Sequence, residues 1–229
     1  MKYFSDKVIE FNGNLKISCP LPQGVDSMNP FKLKPAAEAS SLFYQKYYRD
    51  NNQRYFIAGI NPGRFGAGVT GIPFTDTKRL KKICSLSFSG SETHEPSSVF
   101  IYDVIGKSGG PEKFYSKFYI NSVCPLGFTM RTEKGREINY NYYDDPELVK
   151  SVYPFIISSI RKQISFGLSK RVCFCLGTGK NYRFLNDLNS SFRFFKKIVP
   201  LEHPRYIMQY KSKDKLSYIK KYLNSFNLC

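Results

Sequence analysis

The chain has 229 residues, enough for one domain with a sizeable core, and nothing in it forces a split. Its 35 Lys and Arg against 18 Asp and Glu leave a formal charge of +17, which points to an anionic partner; 17 Tyr and 20 Phe add faces on which bases can stack. The lack of a basic amphipathic helix, a lipidation signal or an apolar run of spanning length argues against a membrane, and the charged first ten residues do not read as an export signal, so a soluble cytoplasmic protein is expected. The six cysteines form no CxxC pair and read as reduced thiols, most of them buried, with no metal or cofactor expected.

Residues 1–35 carry Gly13, Pro20, Pro22, Gly24, Pro30 and Pro35 and read as an irregular arm around the single domain, with one short strand at 15–17. A helix is expected over 36–48, stopped by Asp50-Asn51-Asn52, and a strand over 55–60. A basic helix follows from Thr77, then an exposed loop over 87–98, and 99–105 is open between helix and strand before Gly109-Gly110-Pro111. Residues 117–123 read as a strand, 131–144 as a polar, mobile loop, and Asp145-Pro146 as the start of a helix to about Ser165. Strands at 170–176 and 194–199 flank a helix from Gly179, and a last helix covers 213–226. This alternation predicts an α/β fold, a three-layer α/β/α sandwich with a short, mainly four-stranded parallel sheet. Ligands of such sheets sit beyond the carboxyl ends of the strands, where Asn61, Asn121 and His203 all fall.

The stretch from Tyr55 to Asp76 concentrates the signal. An apolar strand empties into a loop whose five glycines and two prolines shape it tightly, while Asn61, Arg64, Phe65 and Phe74 are held at defined places. An ordinary strand-to-helix connection would use the same turn residues, but not a dozen further positions that keep aromatic side chains. Gly177-Thr178-Gly179-Lys180 is not a phosphate loop of the Walker type, because Phe174 stands where that motif needs glycine; the helix-start amides of Gly179 and Lys180 could still hold one phosphate. His203, directly after a strand, is by position alone more readily structural than catalytic, and His94 in the serine-rich loop reads as inert.

Gly59-Ile-Asn61-Pro-Gly63-Arg-Phe-Gly66, continuing to Thr70-Gly71-Ile-Pro73-Phe74, resembles the first motif of the single-strand-selective monofunctional uracil-DNA glycosylases. Asn121-Ser-Val-Cys124-Pro125-Leu126 is similar to a second segment of that family, and His203-Pro204 to a third; the three occur in the family's order between Gly59 and Arg205. Arg64 replaces the family's proline, Ala67-Gly68 its Met-Ala, and Arg205 onward departs from its Ser-Pro-Arg.

The resemblance implies a DNA repair glycosylase that flips uracil from DNA and hydrolyses its N-glycosidic bond, acting without a cofactor on single- and double-stranded DNA as a monomer. Asn61 would hold the attacking water, Phe74 would stack on the base, Asn121 would read its edge and His203 would donate to uracil O2. Gly63, Phe65 and Gly66 would complete the substrate pocket, while Arg64, Gly179, Lys180, Arg205, Tyr206, Met208 and Lys211 would meet DNA. From Lys196 onward eight Lys and Arg face two acids, a composition suited to a phosphate-contacting flank or to a solvated helix face. Two other readings remain: action mainly on another deaminated base, xanthine or hypoxanthine, and a non-catalytic nucleic-acid-binding protein on the same fold.

Overall fold

A computed structural model describes residues 2–229. Its centre is β2 (Arg54–Gly59), an apolar run paired in parallel with β3 (Phe118–Ser122) on one side and β6 (Leu168–Leu176) on the other; β7 (Lys197–Leu201) extends the sheet beyond β6. The order β3-β2-β6-β7 is the expected parallel sheet, with Ile57 opposite Ile120 and Leu176 opposite Leu201.

Strands buried on both faces place alternate side chains in two separate cores. Phe118 and Phe174 meet Phe226 at ring distances of 4.6 and 5.0 Å, so α10 (Lys215–Phe226) covers one face. Tyr119 and Phe56 lie on the other, where Phe4 of α1 (Phe4–Gly13) approaches Tyr119 to 5.3 Å. These layers, with α2 (Lys34–Tyr47), α7 (Pro146–Ile164) and α8 (Lys180–Phe192), make the three-layer sandwich. No described helix is long and apolar enough to cross a membrane.

The N-terminal region departs from the irregular arm expected. Phe4, Val8 and Phe11 stand four and three apart, form the buried stripe of α1, and Asp6 accepts from the Tyr3 backbone N–H at 2.8 Å to start it. The short strand is β1 (Val25–Met28) rather than 15–17. Arg54, fully buried at the start of β2, helps to tie this end together: its guanidinium donates to both oxygens of Asp50 and lies 4.8 and 4.7 Å from the ring centroids of Phe4 and Tyr48.

The region expected to be a mobile loop is instead a hairpin. β4 (Gly127–Arg131) and β5 (Glu137–Tyr140) run antiparallel, with β1 on the far side of β4, and Gly135 turns the hairpin at a φ of +72° that favours glycine. Thr129 stands opposite Asn139, so polar alternation, and not loop composition, is what the sequence carries there. The ambiguous 99–105 lies within α5 (Pro96–Lys107), α6 (Pro111–Lys117) follows it, and the fourth strand begins at Lys197 rather than 194, because Phe194 and Phe195 pack into the core ahead of it.

Candidate active site

A cavity of about 530 Å³ opens at the carboxyl end of the sheet, lined by Asn61, Gly63, Phe65, Phe74, Ser122 and His203 among others. The loop after β2 builds one wall. It passes through α3 (Ala67–Thr70), closes at Gly71 in the left-handed region, and is clasped where Thr70 Oγ1 donates to the Thr75 carbonyl at 2.6 Å. That clasp holds Phe74 at a φ of +52°, unusual for an aromatic residue. The ring lies against the backbone of Gly59, where a Cβ would come within 3.0 Å of it, so glycine at the end of β2 is what admits the ring.

His203 is the N-cap of α9 (Pro204–Tyr210), and its Nδ1 accepts from the Arg205 backbone N–H at 3.2 Å. An Nδ1 that accepts carries no proton, so the neutral ring holds its proton on Nε2 as a donor. Burial, and then the Arg205 guanidinium, lower its pKa to about 4, so the ring is neutral near pH 7. Its centroid lies 5.6 Å from that of Phe74, and both rings line the cavity. A flat ligand stacked on Phe74 would therefore meet a neutral hydrogen-bond donor at its edge.

Asn61 is held through its amide. Oδ1 accepts from the Tyr142 backbone N–H at 3.1 Å and Nδ2 donates to the Tyr140 carbonyl at 3.2 Å, which fixes which way the amide points. Tyr142 is itself anchored, its hydroxyl donating to Asn181 Oδ1 at 2.8 Å, while Asn181 Nδ2 donates to the Leu176 carbonyl. The hairpin, β6 and the loop after β2 are thus joined through one polar chain.

The family model described as the uracil DNA glycosylase superfamily matches residues 45–227. The chain belongs to the uracil DNA glycosylase superfamily. Among solved structures it is similar to "The crystal structure of WT Pedobacter heparinus SMUG2", with 55% sequence identity, a TM-score of 0.97 and coverage of 100% of this chain and 98% of that one. No curated protein matches. Membership of this superfamily supports a DNA glycosylase, with DNA as its partner.

Against the superfamily motifs read from the sequence, the structure brings Asn61, Gly63, Phe65, Phe74 and His203 to one cavity, with Arg205 and Met208 in its wall. Gly66 lies beside that wall, against the side chain of Glu95. Asn121 is not part of it. Its amide donates to the Tyr119 hydroxyl at 2.7 Å and accepts from the Ser122 N–H at 2.8 Å, and it borders a much smaller void behind Pro62 and Pro73; the next residue, Ser122, reaches the cavity instead. That void shares Pro62, Ala67 and Pro73 with the cavity lining, so Asn121 stands beside the cavity and not in it.

Arg64 is engaged within the protein, pairing with the Glu137 carboxylate at 3.2 Å and with the Glu137 carbonyl, and it lies over the ring of Phe65, which is 59% exposed at the cavity mouth. Tyr206 and Tyr210 lie beside each other outside the cavity, ring centroids 5.5 Å apart and tilted by 45°, both exposed, and Lys211 ends that helix. Gly179 and Lys180 are exposed where α8 begins, away from the cavity lining.

Residues that the sequence did not single out also line the cavity: Glu95, Ser122, Asn139 and Gln209. His94 lines it too, with its Nδ1 2.9 Å from an Arg79 guanidinium nitrogen. The nearest carboxylate in sequence, Asp76, is fully buried and caps α4 (Thr77–Lys82), accepting from the Arg79 N–H at 2.9 Å. The pattern Glu95-Pro96 does mark a helix start, with proline in the first turn, but nothing in it announces that Glu95 reaches the loop after β2.

Proposed function

We propose that this protein excises uracil from DNA by hydrolysing the N-glycosidic bond, leaving an abasic site. The observation that carries this reading is the pairing of Phe74 with a neutral His203 whose free nitrogen is a donor. An extruded uracil stacks on the ring of Phe74, and as the bond to C1′ breaks, the negative charge that gathers on uracil O2 is met by the His203 Nε2 proton. A neutral imidazole suits this role because it stabilises the anion without titrating near neutral pH. Asn61, held at both ends of its amide, orients the water that captures the oxocarbenium-like sugar. The positive net charge of the chain supplies the attraction to phosphate.

The site also supports a wider base range, which is the second reading. β3 brings Ser122, whose hydroxyl can rotate to donate or accept, into the lining of the cavity, whereas both ends of the Asn121 amide are already bonded within the protein. A rotating hydroxyl tolerates more than one pattern of donors and acceptors, and a cavity of about 530 Å³ leaves room for xanthine or hypoxanthine.

An alkali-cleavage assay on a labelled single-stranded oligonucleotide with one uracil tests both. Strand cleavage by the wild type that collapses in His203→Ala and Asn61→Ala, with DNA binding retained, is the expected result. Cleavage of xanthine or hypoxanthine substrates but not uracil moves the conclusion to the second reading, and DNA binding without cleavage of any deaminated base leaves only a binding protein.

A further inference from the structure

Glu95 occupies a place in this cavity that no turn or capping requirement explains. Its backbone N–H donates to Asp76 Oδ2 at 2.7 Å, and its side chain runs to the loop after β2. A Cβ on Gly66 would fall 2.0 Å from Glu95 Oε2 and 2.7 Å from its carboxyl carbon, and one on Gly63 would fall 3.9 Å from Oε1. The carboxyl therefore fills the volume that the missing side chain of Gly66 leaves, beside the loop that carries Asn61. Its one side-chain hydrogen bond among the described residues is a long one, from Ser98 Oγ at 3.4 Å to Oε2, which leaves Oε1 open in a cavity lined also by Asn61 and His203.

The charges around it come from three directions. Asp76 stands behind it at the start of α4, neutralised in part by Arg79 at 2.9 Å, which also holds His94; Arg205 approaches from α9, and His203 is neutral. Burial pushes the carboxyl up to about 7, with the Ser98 hydroxyl and Arg205 pulling it down and Asp76 pushing it further up.

We propose that Glu95 is the proton acceptor for the attacking water, a catalytic carboxylate delivered by the start of α5 rather than by the loop that carries Asn61. The inference rests on the glycosylase reading of the same cavity. A side-chain amide can orient water but cannot take its proton, so a carboxylate in the same cavity supplies a function that Asn61 does not have. The C1′–N bond breaks with its electron pair going to the departing base, the water oxygen bonds to C1′, and the proton released passes to the Glu95 carboxylate. That proton then leaves to the uracil anion or to solvent, which restores the carboxylate. While ionised, Glu95 also opposes the positive charge developing on the sugar.

Single-turnover cleavage of the uracil oligonucleotide by the wild type, Glu95→Gln and Glu95→Ala, from about pH 5.5 to about pH 9, tests the proposal. The wild-type rate rises with pH and levels above about 7, because only the ionised carboxylate accepts a proton. Glu95→Gln, equal in shape but not basic, falls roughly 100-fold or more at the plateau, loses the pH rise and binds DNA within about threefold of wild type. Formate added to Glu95→Ala restores at least about tenfold, since it fits the vacated volume and a purely structural loss would not respond. If the wild type cleaves and Glu95→Gln follows it within about threefold with the same pH profile, Glu95 is not the base and the glycosylase reading stands. If the wild type excises no deaminated base at all, the glycosylase reading falls and takes this assignment with it.

Discussion

The side-chain oxygen of Asn61 accepts from the backbone N–H of Tyr142 at 3.1 Å, a bond between the loop after β2 and the chain leaving the β4–β5 hairpin. The amide nitrogen completes the link by donating to Tyr140, so the residue proposed to position water is also a latch between two elements. Asn61→Ala should therefore cost both activity and stability. Loss of two hydrogen bonds predicts about 1–2 kcal/mol in denaturant unfolding. Displacement of the water-positioning group predicts a fall of roughly 100-fold or more in single-turnover cleavage. Unchanged stability in this variant would mean that the hairpin holds itself without the latch.

His203 gives a second prediction, through its pKa of about 4. In the unfolded chain a histidine titrates near 6.5, so between about pH 6.5 and about pH 4 the unfolded state binds more protons than the folded one. Stability attributable to the neutral ring is thus fully present above about 6.5 and is lost as pH falls through that window. His203→Asn removes the titration while keeping a good helix N-cap. The stability difference between wild type and this variant should shift against the wild type by on the order of 2 kcal/mol as pH drops from 7 to 4. NMR titration of the imidazole checks the premise directly, and a midpoint near 6.5 would refute it.

The contrast between Asn121 and Ser122 shows where sequence reading reaches and where it stops. The alternation of apolar strands and helices, with Gly59, Asn61 and His203 at strand ends, carries the parallel four-stranded sheet and the site's place beyond its carboxyl edge. Motif residues fix the neighbourhood, but which of two adjacent strand-end residues lines the cavity depends on the loops that pack beyond the strand. Glu95 is a different kind of omission, because its approach to Gly66 depends on how α5 packs against a loop nearly thirty positions earlier. The hairpin was hidden by the polar side chains on its exposed strand β5, while α1 was legible in the spacing of Phe4, Val8 and Phe11 beneath the glycines and prolines that follow.

Phe74 yields a third prediction because its backbone conformation and its ring make opposite demands. At a φ of +52° any side chain with a Cβ is strained, by about 1 kcal/mol, and glycine is not. Phe74→Gly should consequently be more stable than Phe74→Ala by about 1 kcal/mol, reversing the order usual for an alanine-to-glycine change. Both variants lose the stacking face, worth about 1–3 kcal/mol per base, and should weaken cleavage by roughly 10- to 100-fold to similar extents. Thermal melts and single-turnover rates on the pair separate the two effects, and an alanine variant more stable than the glycine variant would show that the left-handed turn is not strained.

Two glycines of the same loop make the last prediction, since alanine meets different neighbours at each. At Gly66 the new methyl would collide with the Glu95 carboxyl, the far end of a flexible side chain that can swing away, but the backbone there, at φ −122° and ψ −107°, lies outside the regions that a residue with a Cβ favours. At Gly68 it would come within 2.7 Å of the Gly63 carbonyl oxygen and of Met28 Sδ, and that carbonyl accepts from the Gly68 N–H at 2.9 Å, so neither partner can retreat without moving the Asn61 loop. Gly68→Ala should therefore lose about 1–3 kcal/mol of stability as an overpacked site, together with activity. Gly66→Ala should lose about 1 kcal/mol through its backbone conformation, and it should lose activity as well, because it displaces the proposed base. Chemical denaturation and cleavage rates measured side by side decide the matter: a Gly66→Ala variant as active as wild type would place Glu95 outside the reaction, whatever the fate of Gly68→Ala.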